Sequence, residues 1–346
     1  MSRTTYRLDR RAVLRLAAGL AFAGPLLAPT GRRPRAQTLD KVSFLTDWRA
    51  QAEHGGYYQA IAAGLYRKAG IDCDLRQGGP SLNSSQLLLA GRVDMVMSSS
   101  FEAFAYVREG APFFTIVAIF QKDPQVLIGH PDTGFDSFEA LKGRTILIGS
   151  GGRVTYWPYL RRKYGLSDSQ VRPYNFNMAP FLADKHLIQQ GYLGSEPFLI
   201  RQKGGFDPVV LLVADGGYKG YQNIITTSRK LIAEKPDLVH RFVDASVEGW
   251  YSFLYDDPAP ANKMIRAANP EMSDALLAYG RQTMKDHGIV DSGDSLKLGI
   301  GAMTQERWRE YYQGMVAVGV YASGIDVDRA YVTDFVNHRT GIEMKK

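Results

Sequence analysis

The chain has a single cysteine, Cys73, so it cannot form an internal disulfide. Cys73 falls in a strand-like stretch, where it reads as a small apolar residue rather than a reactive thiol. No apolar run reaches the ~20 residues that a membrane-spanning helix needs. The longest, from Ala12 to Ala28, is interrupted by Arg15 and Gly19. Neither a phosphate-binding G-x-x-x-x-G-K-[ST] nor a G-x-G-x-x-G is present, which leaves nucleotide binding without support. There is no H-E-x-x-H, no G-x-S-x-G, and the six histidines are dispersed. No metal, no cofactor and no catalytic residue are therefore expected.

Net charge is also nearly absent, once its location is considered. The formal balance of +7 comes from 42 basic and 35 acidic residues. Residues 1–36 hold eight arginines against one acid, Asp9, so the remainder is balanced. A balanced surface gives no electrostatic case for nucleic acid. Basic stretch, apolar stretch and polar region follow one another in residues 1–36, the order of an export signal. Arg10-Arg11 followed by Ala12-Val13-Leu14 resembles the twin-arginine type. Cleavage after Ala36 fits, with Ala23 as the alternative, and a periplasmic location follows.

What is present is an alternation of strand and helix patterns. Lys41–Asp47, Ile71–Arg76, Val93–Met97 and Phe113–Phe120 read as strands, with helices over Gly56–Ala69, Ser81–Ala90 and Phe101–Arg108 between them. Ser81 is a candidate N-cap and Gly70 a natural helix stop. This order predicts a mainly parallel sheet. A second α/β unit begins near Pro131, with strands over Arg144–Gly149, Val171–Phe176 and Pro208–Ala214. Helices are expected over Thr155–Tyr164 and Phe181–Gln190, and Gly191–Phe198 reads as a short strand and turn. Ile224–Ser228 reads as a strand returning to the first unit, and helices follow to the end. The expected fold class is α/β, two lobes with a two-segment hinge and a helical C-terminal region. The boundaries are 37–130 and 224–346 for lobe I and 131–223 for lobe II. Charge runs such as Arg161-Arg162-Lys163 read as solvated surface.

In open α/β sheets ligands lie at the carboxyl ends of strands. The loop after the first strand, Trp48–Tyr58, carries Trp48, Glu53, His54, Tyr57 and Tyr58. The loop Ser98-Ser99-Ser100 offers hydroxyls, and equally a helix start. Ser150-Gly151-Gly152 leads into Tyr156 and Trp157, and Asn175 and Glu196 sit in the second unit. Rings for stacking and carboxylates for accepting hydrogen bonds suit a flat, partly polar molecule. The candidate ligand residues are Trp48, His54, Tyr58, Ser98, Ser99, Gly151, Tyr156, Trp157, Asn175 and Glu196.

Several segments resemble one known family. They are Asp47-Trp48, Glu53-His54-Gly55-Gly56-Tyr57-Tyr58-Gln59-Ala60, Gly64–Asp72, Leu89–Asp94, Leu141–Arg144 and Ser195-Glu196-Pro197-Phe198. Over roughly residues 40–250 the chain is similar to type II periplasmic solute receptors of ABC importers. Within these it resembles thiamine pyrimidine-precursor receptors and the related eukaryotic pyrimidine synthases, with sulfonate receptors as cousins. The resemblance implies a monomeric receptor, not an enzyme, that delivers a small molecule to an inner-membrane ABC permease. An aminopyrimidine thiamine precursor is the implied solute, flanked by Trp48, His54 and Tyr58, with Glu196 as the second-lobe carboxylate. The chain departs from the family at Arg49–Glu53, where Asn-Thr-Asn precedes the histidine in relatives. The cysteine-rich motif of the synthases is absent. Two alternatives remain open: an alkylsulfonate held at Ser98–Ser100 and Gly151-Gly152 with Arg153, and a synthase-like enzyme using His54.

Overall fold

A computed structural model describes residues 38–80 and 82–345, which form one compact unit. The expected export signal, residues 1–36, and the Ser81 cap lie outside the described residues. The chain lays down β1 (Asp40–Leu45), β2 (Ile71–Arg76), β3 (Met95–Ser98) and β4 (Phe113–Phe120). It then crosses to a second sheet of β5 (Gln125–Gly129), β6 (Ile146–Ile148), β7 (Val171–Pro173), β8 (Ile188–Tyr192) and β9 (Val209–Leu212). With β10 (Gln222–Ser228) it returns to the first. The strand orders are β2-β1-β3-β10-β4 and β7-β6-β8-β5-β9. Two lobes joined by two crossings, residues 121–124 and 213–221, match the expected architecture.

The boundary differs from the one read in sequence. Lobe II starts near residue 124 rather than 131, because β5 lies in the second sheet between β8 and β9. All five β5 residues are buried, so QVLIG shows no alternation to announce a strand. The sheets are also mixed. β10 runs antiparallel to β3 and β4, and β5 antiparallel to β8 and β9, since a strand entering from the other lobe needs no helical crossover. The helix expected over Phe181–Gln190 is only Ala179–Ala183, followed by β8. Polar Gln189 and Gln190 inside that buried strand hid it from a hydrophobic count. The helix Ser84–Leu89 is capped by Asn83, whose side chain accepts from the Gln86 N–H at 3.0 Å.

The basic run 161–163 lies at the surface, as expected, and is also tied down there. Arg161 pairs with Asp168 at 2.9 Å, Arg162 donates to the Gly319 carbonyl, and Lys163 donates to the Gly216 carbonyl at 2.8 Å. Lobe II is thereby braced against the return crossing and the C-terminal segment. Cys73 is partly buried on β2, and burial pushes its thiol up to about 12, in keeping with an inert role.

The core of lobe I explains the paired glycines of the first loop. The helix Gly55–Ala62 packs on the long helix Pro236–Tyr255. A Cβ on Gly56 would meet the Trp250 ring at 2.2 Å, and one on Gly55 the Phe253 ring at 2.2 Å. From the other side, a Cβ on Gly249 would meet the Gly56 carbonyl oxygen at 2.3 Å. These glycines serve close helix approach under two large rings, not ligand contact.

Gly249→Ala is therefore expected to lower stability by about 1–3 kcal/mol through overpacking. Gly314→Ala, in the helix Gln305–Ala317 with open space around its Cβ, is expected to be neutral or to stabilise by up to about 1 kcal/mol. Urea midpoints of the two variants, with unchanged m-values, check the contrast.

Candidate functional site

The carboxyl ends of both sheets face a cavity of about 320 Å³ between the lobes. That is near the lower end of small-molecule sites. Lobe I contributes Thr46–Trp48 after β1 and Ser98-Ser99 at the end of β3. Lobe II contributes Gly151-Gly152 after β6, Tyr174 and Phe176 after β7, and Ser195-Glu196 after β8. Gln125 and Gln222, the first residues of β5 and β10, line the cavity where the chain crosses between lobes.

Of the sequence-derived candidates, Trp48, His54, Ser98, Ser99, Gly151 and Glu196 line this cavity. Asn175 lies in an adjoining groove, together with Arg153. Tyr58, Tyr156 and Trp157 line neither and are buried in the core. The helix expected from Thr155 is broken there. Ser150–Val154 ends at Thr155, with φ −90° and ψ −86°, and Trp157–Tyr164 starts afresh. The break leaves Trp157 donating to Asp168 at 2.7 Å and Tyr156 packed directly behind Gly152.

Sequence reasoning passed over Phe176 and Gln190, and did not single out Asp47 or Glu53 within the first loop or Glu102 at the end of the serine loop. Phe176 has φ +59°, a left-handed backbone uncommon for a bulky residue, and its ring is 44% exposed. It meets Trp48 across the cleft with ring centroids 4.7 Å apart at 52°, and Tyr174 at 5.2 Å. Two aromatic side chains, one from each lobe, thus touch at the cavity. Only the cross-lobe contact identifies Phe176, and no local pattern in the sequence carries that information.

The acidic and basic lining is mostly carboxylate. Asp47, Glu53, Glu102 and Glu196 all line the cavity, and no lysine or arginine does among the described residues. His54, buried, is the only basic side chain, and its Nε2 lies 3.1 Å from Asp47 Oδ1. Glu102 and Ser99 form a capping box at the helix Ser100–Glu109: the Ser99 N–H donates to Glu102 Oε2 at 2.9 Å, and Ser99 Oγ accepts from the Glu102 N–H. Ser98 Oγ is bonded to Thr226 Oγ1 at 2.7 Å. Both serine hydroxyls are thus engaged in the scaffold. Glu196 opens the helix Glu196–Gly204, and its Oε2 accepts from the Tyr192 N–H at 2.7 Å and from Ser195 Oγ at 2.6 Å. Gln190 Oε1 accepts from the Gly149 N–H at 2.8 Å, fixing the Gly151-Gly152 turn.

Removal from water raises the carboxyls of Glu53, Glu102 and Glu196. Burial pushes Glu53 and Glu102 each up to about 7, against opposing hydrogen bonds and, for Glu53, the neighbouring His54. Glu196 is raised by the same cause. Asp123, in the first crossing, is pushed up to about 6 by burial, although it accepts from the Gln125 N–H. Among the described residues no group of three or more potential ligands could hold a metal ion, and no helix is long and apolar enough to cross a membrane.

The chain belongs to the NMT1/THI5-like family, whose model matches residues 51–261. It is 26% identical over 322 residues to the riboflavin-binding protein RibY of Chloroflexus aurantiacus, covering 90% of this chain and 91% of that protein. It is 26% identical over 160 residues to the 4-amino-5-hydroxymethyl-2-methylpyrimidine phosphate synthase of Schizosaccharomyces pombe, 45% of each. The periplasmic aliphatic sulphonate binding protein SsuA from Escherichia coli superposes with a TM-score of 0.64 at 11% identity, over 85% of this chain and 92% of that one. The two-lobed α/β fold is that of periplasmic solute-binding proteins, and the family resemblance read from the segments around Asp47–Asp72 holds.

The raised carboxyls set the pH dependence of stability. An unfolded chain releases these protons near pH 4, whereas the folded protein keeps them to about pH 7 at Glu53 and Glu102 and about pH 6 at Asp123. The folded state binds more protons between these limits, so stability falls as pH rises through that window. The ligand-free protein should melt higher at pH 5 than at pH 8, each glutamate contributing about 2–3 kcal/mol. Calorimetry across pH checks this, and Glu102→Gln should flatten the profile.

Proposed function

We propose that the chain is an exported solute receptor of an ABC importer, binding a planar nitrogen heterocycle between its lobes. An aminopyrimidine related to thiamine precursors is the leading candidate. The observation that carries this reading is the make-up of the cavity: aromatic faces and four carboxylates, with no lysine or arginine among the described residues. Rings favour a flat partner, and carboxylates favour one that offers N–H donors or positive charge.

The same lining disfavours an alkylsulfonate. At an effective dielectric of 20, each ionised carboxylate about 6 Å away would oppose a sulfonate by roughly 3 kcal/mol. Arg153 lies in the adjoining groove rather than the cavity. The relative spanning most of the chain is named for riboflavin, which shares with aminopyrimidines a flat ring bearing nitrogen donors. A flavin is thus the second reading.

In the receptor, Trp48 and Phe176 cover the ring, and His54 and Glu196 contact its edge. Asn175 and Gly151 border its exit, and the ligand stabilises the closed form by touching both lobes at once. The chain acts as a binding protein without chemistry of its own. Residues 1–36 direct its export, and a membrane permease takes up the solute.

Isothermal titration with 4-amino-5-hydroxymethyl-2-methylpyrimidine, riboflavin and an alkylsulfonate tests the proposal. A heterocycle should bind with micromolar or tighter affinity, and the sulfonate should not. Trp48→Ala should weaken the heterocycle by about tenfold or more, the scale of one lost aromatic contact. Binding of the sulfonate alone would overturn the reading.

A further inference from the structure

Glu53 differs from the other carboxylates of the cavity in what it touches. Asp47 meets His54, Glu102 accepts from the Ser99 N–H, and Glu196 accepts from the Tyr192 N–H and the Ser195 hydroxyl. Glu53 Oε1 is buried and has no hydrogen-bond partner among the described residues. The residue as a whole is only 2% exposed. An isolated carboxylate in such a place costs several kcal/mol unless it is protonated or a partner is supplied.

The protein nevertheless holds it there. Glu53 lies in the short turn Ala52–His54, and its carbonyl accepts from Asn223 Nδ2 at 2.9 Å. Asn223, fully buried on β10, also accepts from Tyr57 Oη at 2.5 Å, so the turn is anchored to the strand that re-enters lobe I. Across the seam, lobe II has made room. A Cβ on Gly194 would fall 2.3 Å from Glu53 Oε1, so only glycine leaves space for the carboxylate. A Cβ on Gly280, in the helix Asp274–Asp286, would meet Ala52 Cβ at 2.8 Å and the Gly194 carbonyl at 3.0 Å. Two glycines therefore let three segments close around one acid. The titratable groups near it are His54, Asp47 and Glu196, and among the described residues no lysine or arginine lines the cavity to serve as its counter-ion.

We propose that Glu53 is the specificity-determining residue of the cavity, accepting a hydrogen bond from an amino group or protonated ring nitrogen of the ligand. The missing partner is the ligand itself. At pH 8, where its carboxyl has lost the proton it keeps to about pH 7, Glu53 then admits nitrogen bases and rejects flat molecules that present only acceptors or negative charge. This rests on the heterocycle reading and extends it to the chemical class within that group. A site built around an N–H group discriminates strongly against analogues that lack it, because its own polar group is then left unpaired.

The test compares ligand pairs on the full chain and on Glu53→Met, a replacement of similar volume without an acceptor. The pairs are 4-amino-5-hydroxymethyl-2-methylpyrimidine against its analogue lacking the 4-amino group, and riboflavin against N3-methylriboflavin. The wild-type protein should prefer the donor-bearing member of the pair it binds by about tenfold or more. Glu53→Met should reduce that preference to less than about threefold, mainly by weakening the donor-bearing member. Its melting temperature at pH 8 should not fall, since a desolvated carboxyl is removed. A Glu53→Met protein that melts as wild type yet keeps the preference overturns the assignment. So does one that weakens both members equally. Failure of the wild-type protein to bind any of these heterocycles instead overturns the receptor reading beneath it.

Discussion

The Asn223 side chain ties three parts of the molecule together at one buried point. Its Nδ2 holds the Glu53 carbonyl, its Oδ1 receives the Tyr57 hydroxyl, and its backbone belongs to β10. With φ +46° it takes a left-handed conformation that asparagine tolerates better than most residues. The first-lobe loop is thereby fixed to the strand on which the chain returns from lobe II. The loop Asp47–His54, the helix Gly55–Ala62 and the crossing share one reference point.

The same neighbourhood holds the least comfortable groups in the protein. Glu53, Glu102 and Asp123 sit where water is scarce, and their carboxyls are pushed up accordingly. A core selected for stability alone would replace them with apolar residues. Among the described residues, Glu53 and Glu102 line the cavity and Asp123 sits at the crossing, which is why the proposed function is centred there. The aromatic pair Trp48–Phe176 completes it, with Phe176 held in a strained backbone to present an exposed ring.

Much of the fold was legible in local patterns. β1, β2 and β4 announce themselves through alternation or β-branched and aromatic runs, and the C-terminal helices through three- and four-residue spacing. β5 and β8 escaped, the first because burial on every residue erased its period, the second because glutamines interrupted it. The site was legible in part. Placing ligands at strand carboxyl ends brought Trp48, His54, Ser98, Ser99, Gly151 and Glu196 to the cavity. It misplaced Tyr156 and Trp157, because a helix break at Thr155 turns both rings inward.

The sequence by itself determined the class of the protein: an α/β chain of two units and a helical tail, with charge balance outside residues 1–36 and no catalytic or metal motif. These are properties of composition and short-range period, which a linear chain carries openly. Only the tertiary structure decided which acids share a cavity, which of them are already hydrogen-bonded, and that Glu53 Oε1 is not. It also decided that Gly55, Gly56 and Gly249 serve helix packing, whereas Gly194 makes room for a carboxylate. Hydrogen-bond satisfaction and burial depend on residues far apart in the chain, 170 positions in the case of Glu53 and Asn223, and no local pattern encodes them.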